Sequence, residues 1–269
     1  MRFVHITDTH IHSAPDFINY GHSPRANLEA LVAAINKLPF RVDFVLHTGD
    51  VVEDRSEGAY RIAKSIFEKL EPPIYYAAGN HDDATHLQRV LLGDEPTGDR
   101  FDYQFQVDGV QFVVLDTRGP NDPTGTLSDA QLDWLRALCT PDGAPLVIAM
   151  HHPPTSLDSP WLDTGWAFPT RAFPNMLLDR GPEFMAALAP ARARLRGVFF
   201  GHVHRPYQVI QDGILLCSAP SSFAQLLTWP TQRVPEPSPA EPGGFSLVTI
   251  TREQTTLRQH YLPRPGATP

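Results

Sequence analysis

The chain has 269 residues, 42% of them hydrophobic and 19% charged, which suffices for one sizeable core and rules out a disordered acidic segment. Twenty-two Lys and Arg against 30 Asp and Glu give a net charge of −8, which argues against a protein built chiefly to grip nucleic-acid backbone. Two cysteines, Cys139 and Cys217, cannot frame a disulfide scaffold, no apolar run is long enough to span a bilayer, and Met1–Ile6 carries no signal-peptide core; a cytoplasmic protein without membrane contact is expected.

Strand and helix signals alternate in chain order. Phe3 to Thr7 is an apolar run ending in polar residues. Ser23-Pro24 opens a helix whose Leu28, Leu31, Val32, Ile35 and Leu38 share one face. Phe44 to Leu46 is a strand, Tyr60, Ala63, Ile66, Phe67 and Leu70 mark a second helix, and Ile74 to Ala77 is a third strand. A short helix is predicted around Thr85 to Leu92. Tyr103–Val107 and Val110–Leu115 flank the hairpin turn Asp108-Gly109, and Ser128 to Gln131 forms a capping box for a helix through Leu138. Leu146–Met150 and Val198–Phe200 are buried strands, Tyr207–Gln211 and Ile214–Cys217 a hairpin, and Phe245–Ile250 and Thr255–Tyr261 a last pair. This pattern predicts an α/β sandwich, helices outside and sheets within, in one domain over residues 1–269. Two Pro-rich stretches, 153–190 and 228–242, read as long loops, candidates for ligand selection or for contacts in a homodimer or larger homo-oligomer.

The chemistry-bearing residues cluster at strand ends. Asp8 and His10 follow the first strand, Gly49-Asp50 the second, and Gly79-Asn80-His81-Asp82 the third. His151-His152 follows Leu146–Met150, and Gly201-His202-Val203-His204 follows Val198–Phe200. In α/β sheets the carboxyl ends of strands share one edge, so residues far apart in sequence converge there. Imidazole and carboxylate donors without thiolate suit Mn, Fe, Zn or Ni and exclude a Cys-type structural zinc site. The D-x-H and H-x-H spacings would set both side chains on one side of an extended strand end, where two donors grip one ion. A carboxylate such as Asp50 can bridge two metals; two ions about 3.5–4 Å apart clamp a phosphoryl group and supply hydroxide at neutral pH.

The ordered set Asp8-Thr9-His10, Gly49-Asp50, Gly79-Asn80-His81-Asp82, His151-His152-Pro153-Pro154 and Gly201-His202-Val203-His204 resembles the calcineurin-like metallophosphoesterase superfamily, most of all bacterial class III cyclic-nucleotide phosphodiesterases and glycerophosphodiesterases. The likeness runs from Arg2 to about Ala219. It implies a four-layer α/β/β/α sandwich of two mixed sheets flanked by helices. It further implies one metal on Asp8, His10, Asp50 and His204, a second on Asp50, Asn80, His151 and His202, and a metal-bridging hydroxide as nucleophile. His81 would face the scissile phosphate and assist the leaving oxygen, with Asn80 beside it. Of two adjacent strand residues only one faces the site; the resemblance favours His151 as ligand and leaves His152 to orient or contact substrate. Asp54-Arg55-Ser56 and Asp82 depart from the protein-phosphatase pattern. The expected activity is therefore hydrolysis of small phosphodiesters, 3′,5′-cyclic nucleotides first, with glycerophosphodiesters or a broad phosphodi/monoesterase range as the alternative and a nuclease less favoured.

Bland readings cover much of the remainder. His5 and His47 read as core or supporting histidines, and His22, His86 and His260 as surface. His12 faces either the cleft or solvent. Trp161, Trp166, Phe168 and Phe173 read as loop-anchoring core or as a stacking wall for a base.

Overall fold

Ser23, Ser56 and Ser128 each cap a helix by accepting a hydrogen bond from the backbone three residues on, and Ser128 and Gln131 complete the expected capping box. The computed structural model describes residues 1–263. In chain order it places β1 (Arg2–Ile6), α1 (Pro24–Asn36), β2 (Phe44–His47), α2 (Glu57–Phe67), β3 (Ile74–Tyr76) and the single turn α3 (Ala84–His86). Then follow β4 (Tyr103–Val107), β5 (Val110–Val114), α4 (Asp129–Leu138), β6 (Leu146–Ala149), α5 (Pro160–Thr164), β7 (Trp166–Phe168), β8 (Arg171–Phe173) and α6 (Gly181–Leu188). The chain ends with β9 (Leu195–Phe200), β10 (Gln208–Gln211), β11 (Ile214–Ser218), β12 (Gly244–Ile250) and β13 (Thr255–Tyr261).

One sheet has the order β13-β12-β1-β2-β3 and the other β10-β11-β9-β6-β5-β4. Side chains alternate across each strand, so β1 sends Val4 and Ile6 toward α1 and α2 and Phe3 toward the second sheet. Between the sheets, Phe3 stacks on Phe44 at 4.9 Å and meets Phe112 and Phe199 edge-on. On the far side, Leu132, Leu135, Phe184 and Leu188 of α4 and α6 cover Ile148, Val198 and Phe200. The layers are therefore α/β/β/α, with both sheets mixed and flanked by helices.

β1, β2 and β3 run parallel, as do β5, β6, β9 and β11, which is what brings the polar residues after their carboxyl ends to one edge. The 153–190 stretch differs from its expectation. It holds α5, the separate hairpin β7–β8 and α6, because Pro160 and Pro182 sit in first helical turns, where a missing N–H costs nothing, and Pro169 and Pro174 sit at the turn and the exit of the hairpin. The predicted helix around Thr85 is α3 continued by a π-helical turn to Leu92. No helix among the described residues is long and apolar enough to cross a membrane.

Candidate metal centre and its cavity

Two clusters form at the shared edge: Asp8, His10 and His204, and Asp50, His151 and His202. In the first, His10 Nε2 lies 3.0 Å from His204 Nε2 and 3.9 Å from Asp8 Oδ1. In the second, His151 Nε2 lies 3.1 Å from both Asn80 Oδ1 and His202 Nδ1. Asp50 joins them: its Oδ2 is 3.6 Å from His10 Nε2 and 3.2 Å from His151 Nε2, while its Oδ1 accepts from the His81 N–H at 2.8 Å.

The donor chemistry fits a metal pair. His10 Nδ1 donates to Glu53 at 2.6 Å, His204 Nδ1 to the Ala224 carbonyl at 3.0 Å, and His151 Nδ1 to the Thr48 carbonyl at 2.7 Å. These acceptors assign one proton to Nδ1, so each neutral ring aims its Nε2 lone pair into a cluster, where a metal ion or a second proton can sit. Lone pairs facing one another 3.0 Å apart repel unless a cation lies between them. The same logic sets the ionisation. Burial would lower His10, but the Glu53 hydrogen bond and the Asp50, Glu53 and Asp8 charges raise it to about 9. His151, likewise opposed by burial, is raised to about 9 chiefly by Asp50. Asp50 is held well below the usual carboxylate range by His151 and His81 in spite of its burial. Burial and the neighbouring His152 and His151 keep His202 neutral, and its Nε2 is buried with no hydrogen-bond partner among the described residues.

Backbone strain is concentrated here. Asp8, His10, Asp50, His202 and His204 take φ of 54°, 48°, 54°, 72° and 50°. Each such left-handed residue costs about 1–2 kcal/mol and persists only where its surroundings over-determine it. This corrects the spacing argument alone: the chain turns at these residues, and His202 and His204 enter different clusters, in line with the two ligand sets that the resemblance implies. Close packing enforces the turns. A Cβ on Gly79 would stand 2.2 Å from Asp50 Oδ1, so only glycine fits there.

Supporting contacts escaped the sequence reading. Glu53 holds His10 and lies 3.4 Å from His81 Nδ1. The buried Asp82 carboxylate accepts from the Val51, Val52 and Gly79 N–H groups and the Tyr60 hydroxyl, lacing the Asp50 loop to the Asn80 loop. Asp122 accepts from Asn80 Nδ2 at 2.8 Å, turning the Asn80 carbonyl oxygen toward His151. Acidic residues at turns are common, and spacing alone gave no sign of these partners.

The centre floors a cavity of about 260 Å³ whose lining includes His81, Tyr20, Trp166, Arg171, Phe173 and Phe223. Trp161 also lines it, mostly buried and tied to the Leu227 carbonyl. His152 does not take the substrate-contacting place expected of it: it is buried behind His202, ring centroids 4.4 Å apart, with Nδ1 on the Thr117 hydroxyl. His12 stacks on Phe17 outside the cavity wall. His5 and His47 are buried in the core against Thr48 and Thr9, and His22, His86 and His260 are half-buried.

A two-sheet sandwich with paired His/Asp clusters at the carboxyl ends of its parallel strands defines the metallophosphoesterase class. The chain belongs to the calcineurin-like phosphoesterase family, whose sequence profile matches residues 1–206. A probable cyclic nucleotide phosphodiesterase of Rhodococcus erythropolis is 32% identical over 158 residues, 56% of this chain and 52% of that protein. A 3′,5′-cyclic adenosine monophosphate phosphodiesterase of Pseudomonas aeruginosa is 28% identical over 223 residues, 82% of this chain and 76% of that one. The match thus spans about half the length of the first relative and about three quarters of the second. A dimetal phosphatase from Danio rerio shares the fold, with a TM-score of 0.69 at 16% identity, over 97% of this chain and 96% of that one.

Proposed function

We propose that the domain hydrolyses small phosphodiesters, 3′,5′-cyclic nucleotides first among them. Asp8, His10, Asp50 and His204 would hold one metal ion, and Asp50, Asn80, His151 and His202 the other. The coarser reading, a phosphoric diester hydrolase, is supported by the calcineurin-like phosphoesterase family and by relatives named phosphodiesterases. The observation that supports the metal pair is the sharing of Asp50 Oδ2 between the two clusters, 3.6 Å from His10 Nε2 and 3.2 Å from His151 Nε2. Imidazole and carboxylate donors suit Mn, Fe or Zn. Bound ions supply Lewis acidity toward the phosphoryl oxygens and lower the pKa of a water.

The chain's own residues do the rest. Asp50 Oδ1 fixes the His81 backbone, and the Glu53 carbonyl accepts a hydrogen bond from His81 Nδ1–H at 3.1 Å. His81 Nε2 is then the nitrogen left for substrate. From there it would offset charge building on the phosphoryl group and hydrogen-bond the leaving oxygen, with the Glu53 carboxylate 3.4 Å from its Nδ1. A cavity of about 260 Å³ matches a small ligand, and the −8 net charge disfavours a polynucleotide. Manganese-loaded protein assayed on 3′,5′-cyclic AMP and on the base-free diester methyl 4-nitrophenyl phosphate should cleave both. Cleavage of only the base-free diester would overturn the substrate assignment, and cleavage of neither would overturn the hydrolase.

A further inference from the structure

The hairpin β7–β8 belongs to neither large sheet. Its register pairs Trp166 with Phe173, Ala167 with Ala172 and Phe168 with Arg171. By strand alternation, Trp166, Phe168, Arg171 and Phe173 share one face, and the two alanines are left on the other. Three of the four large residues line the cavity above the metal centre. Trp166 and Phe173 stack at 4.7 Å, and the Arg171 guanidinium lies 4.3 Å over the Phe173 ring. The Trp166 indole N–H is buried and finds no acceptor among the described residues. Arg171 is the one Lys or Arg in the lining and forms no ion pair among the described residues, so its N–H edge is available.

Tyr20 lines the same cavity from another element. Asn19 and His22 pair through 3.0 Å and 2.8 Å backbone hydrogen bonds, and the two residues between them, Tyr20 and Gly21, take φ of 50° and 78°. Positive φ at both central positions favours Asn or Gly. A tyrosine there holds strain, and it stacks at 6.2 Å on Phe223, which also lines the cavity.

From this juxtaposition we propose that Tyr20 with Phe223 and Trp166 with Arg171 and Phe173 form two banks of a nucleobase subsite, the planar base stacking between them and the Arg171 edge hydrogen-bonding its rim. The proposal rests on the cyclic-nucleotide reading and makes it more specific, because a glycerophosphodiester has no base to place there. Stacking is sequence-tolerant, so the banks should accept any purine more readily than a base-free group.

The test is equilibrium binding of adenosine 5′-monophosphate and of inorganic phosphate to the manganese-loaded protein, with turnover of 3′,5′-cyclic AMP and methyl 4-nitrophenyl phosphate measured alongside. The nucleotide should bind at least about tenfold more tightly than phosphate. Tyr20→Ala and Arg171→Met, on separate elements, should each cut that ratio at least about fivefold. Each should also lower the ratio of kcat/KM for the cyclic nucleotide to that for the base-free diester, chiefly through KM. Phosphate binding reports that the variants remain folded. Equal affinity for nucleotide and phosphate in the unaltered protein would overturn the proposal, as would both ratios staying constant in both variants. Preferential nucleotide binding without cyclic AMP turnover would uphold the subsite and refute the substrate reading, so the two fail separately.

Discussion

Replacing Asp82 with alanine would remove a carboxylate that satisfies four donors: the Gly79 N–H at 2.9 Å, the Val51 N–H at 3.1 Å, the Val52 N–H at 3.3 Å and the Tyr60 hydroxyl at 2.9 Å. Asp82 is 2% exposed, so water cannot easily replace it. An unsatisfied buried donor costs about 1–3 kcal/mol, and four at the low end give about 4 kcal/mol. Burial and the nearby Asp50 charge push the Asp82 carboxyl up, so removing the charge returns part of that. A net loss of about 3 kcal/mol remains, or roughly 6–12 °C in Tm for a chain of this size. Tyr60→Phe removes one donor and should cost about 1 kcal/mol. Thermal unfolding of the chelator-treated protein is the assay, with metal affinity as a second readout, because the two laced loops carry Asp50 and Asn80. A shift under about 2 °C in Asp82→Ala with metal affinity intact would refute the reasoning.

Three further outcomes follow from the same geometry. His10 and His151, each raised to about 9, carry protons at pH 7 in the metal-free protein, and a metal must displace them. Apparent metal affinity should therefore climb about tenfold per pH unit for each cluster up to about pH 9 and then level off, as measured by competition with a chelating indicator. Because both pKa values lie above the unfolded value of 6.5, the stability they add is present below pH 6.5 and lost as pH rises to about 9. The chelator-treated protein should accordingly lose Tm over that window; a flat or rising Tm there would contradict the assignment. Asp122→Ala should free the Asn80 amide to rotate and weaken metal binding at the Asp50, His151, His202 cluster by about 10–100-fold, with smaller effect on the other cluster; titration of the two sites reads this directly.

The sequence disclosed the fold and the site edge for a physical reason. Parallel strands buried on both faces, such as Phe44–Leu46 and Leu146–Met150, read as continuous apolar runs, and the first polar residue after each falls at the carboxyl edge. What it hid is local. Alternation along an extended strand would set His202 and His204 side by side, and only the family resemblance separates them; φ of 72° and 50° is the local turn that sends them to two clusters. Alternation did serve at His151 and His152, which face opposite ways, one into the cluster and one onto Thr117. Glu53, Asp82 and Asp122 act across 43, 31 and 42 residues of sequence, and one chain's spacing carries no signal over such separations. The hairpin β7–β8 was masked by its prolines, which fall at its turn and exit and leave its paired residues free of them.

The central claim is that the two clusters meeting at Asp50 each take a metal ion and that phosphodiester cleavage needs both. Titrating chelator-treated protein with Mn²⁺ while following 3′,5′-cyclic AMP hydrolysis tests it most directly. No turnover is expected without metal, and the rate should reach its plateau only with the second equivalent per chain. Full turnover in the chelated protein, or a plateau at one equivalent, would contradict it.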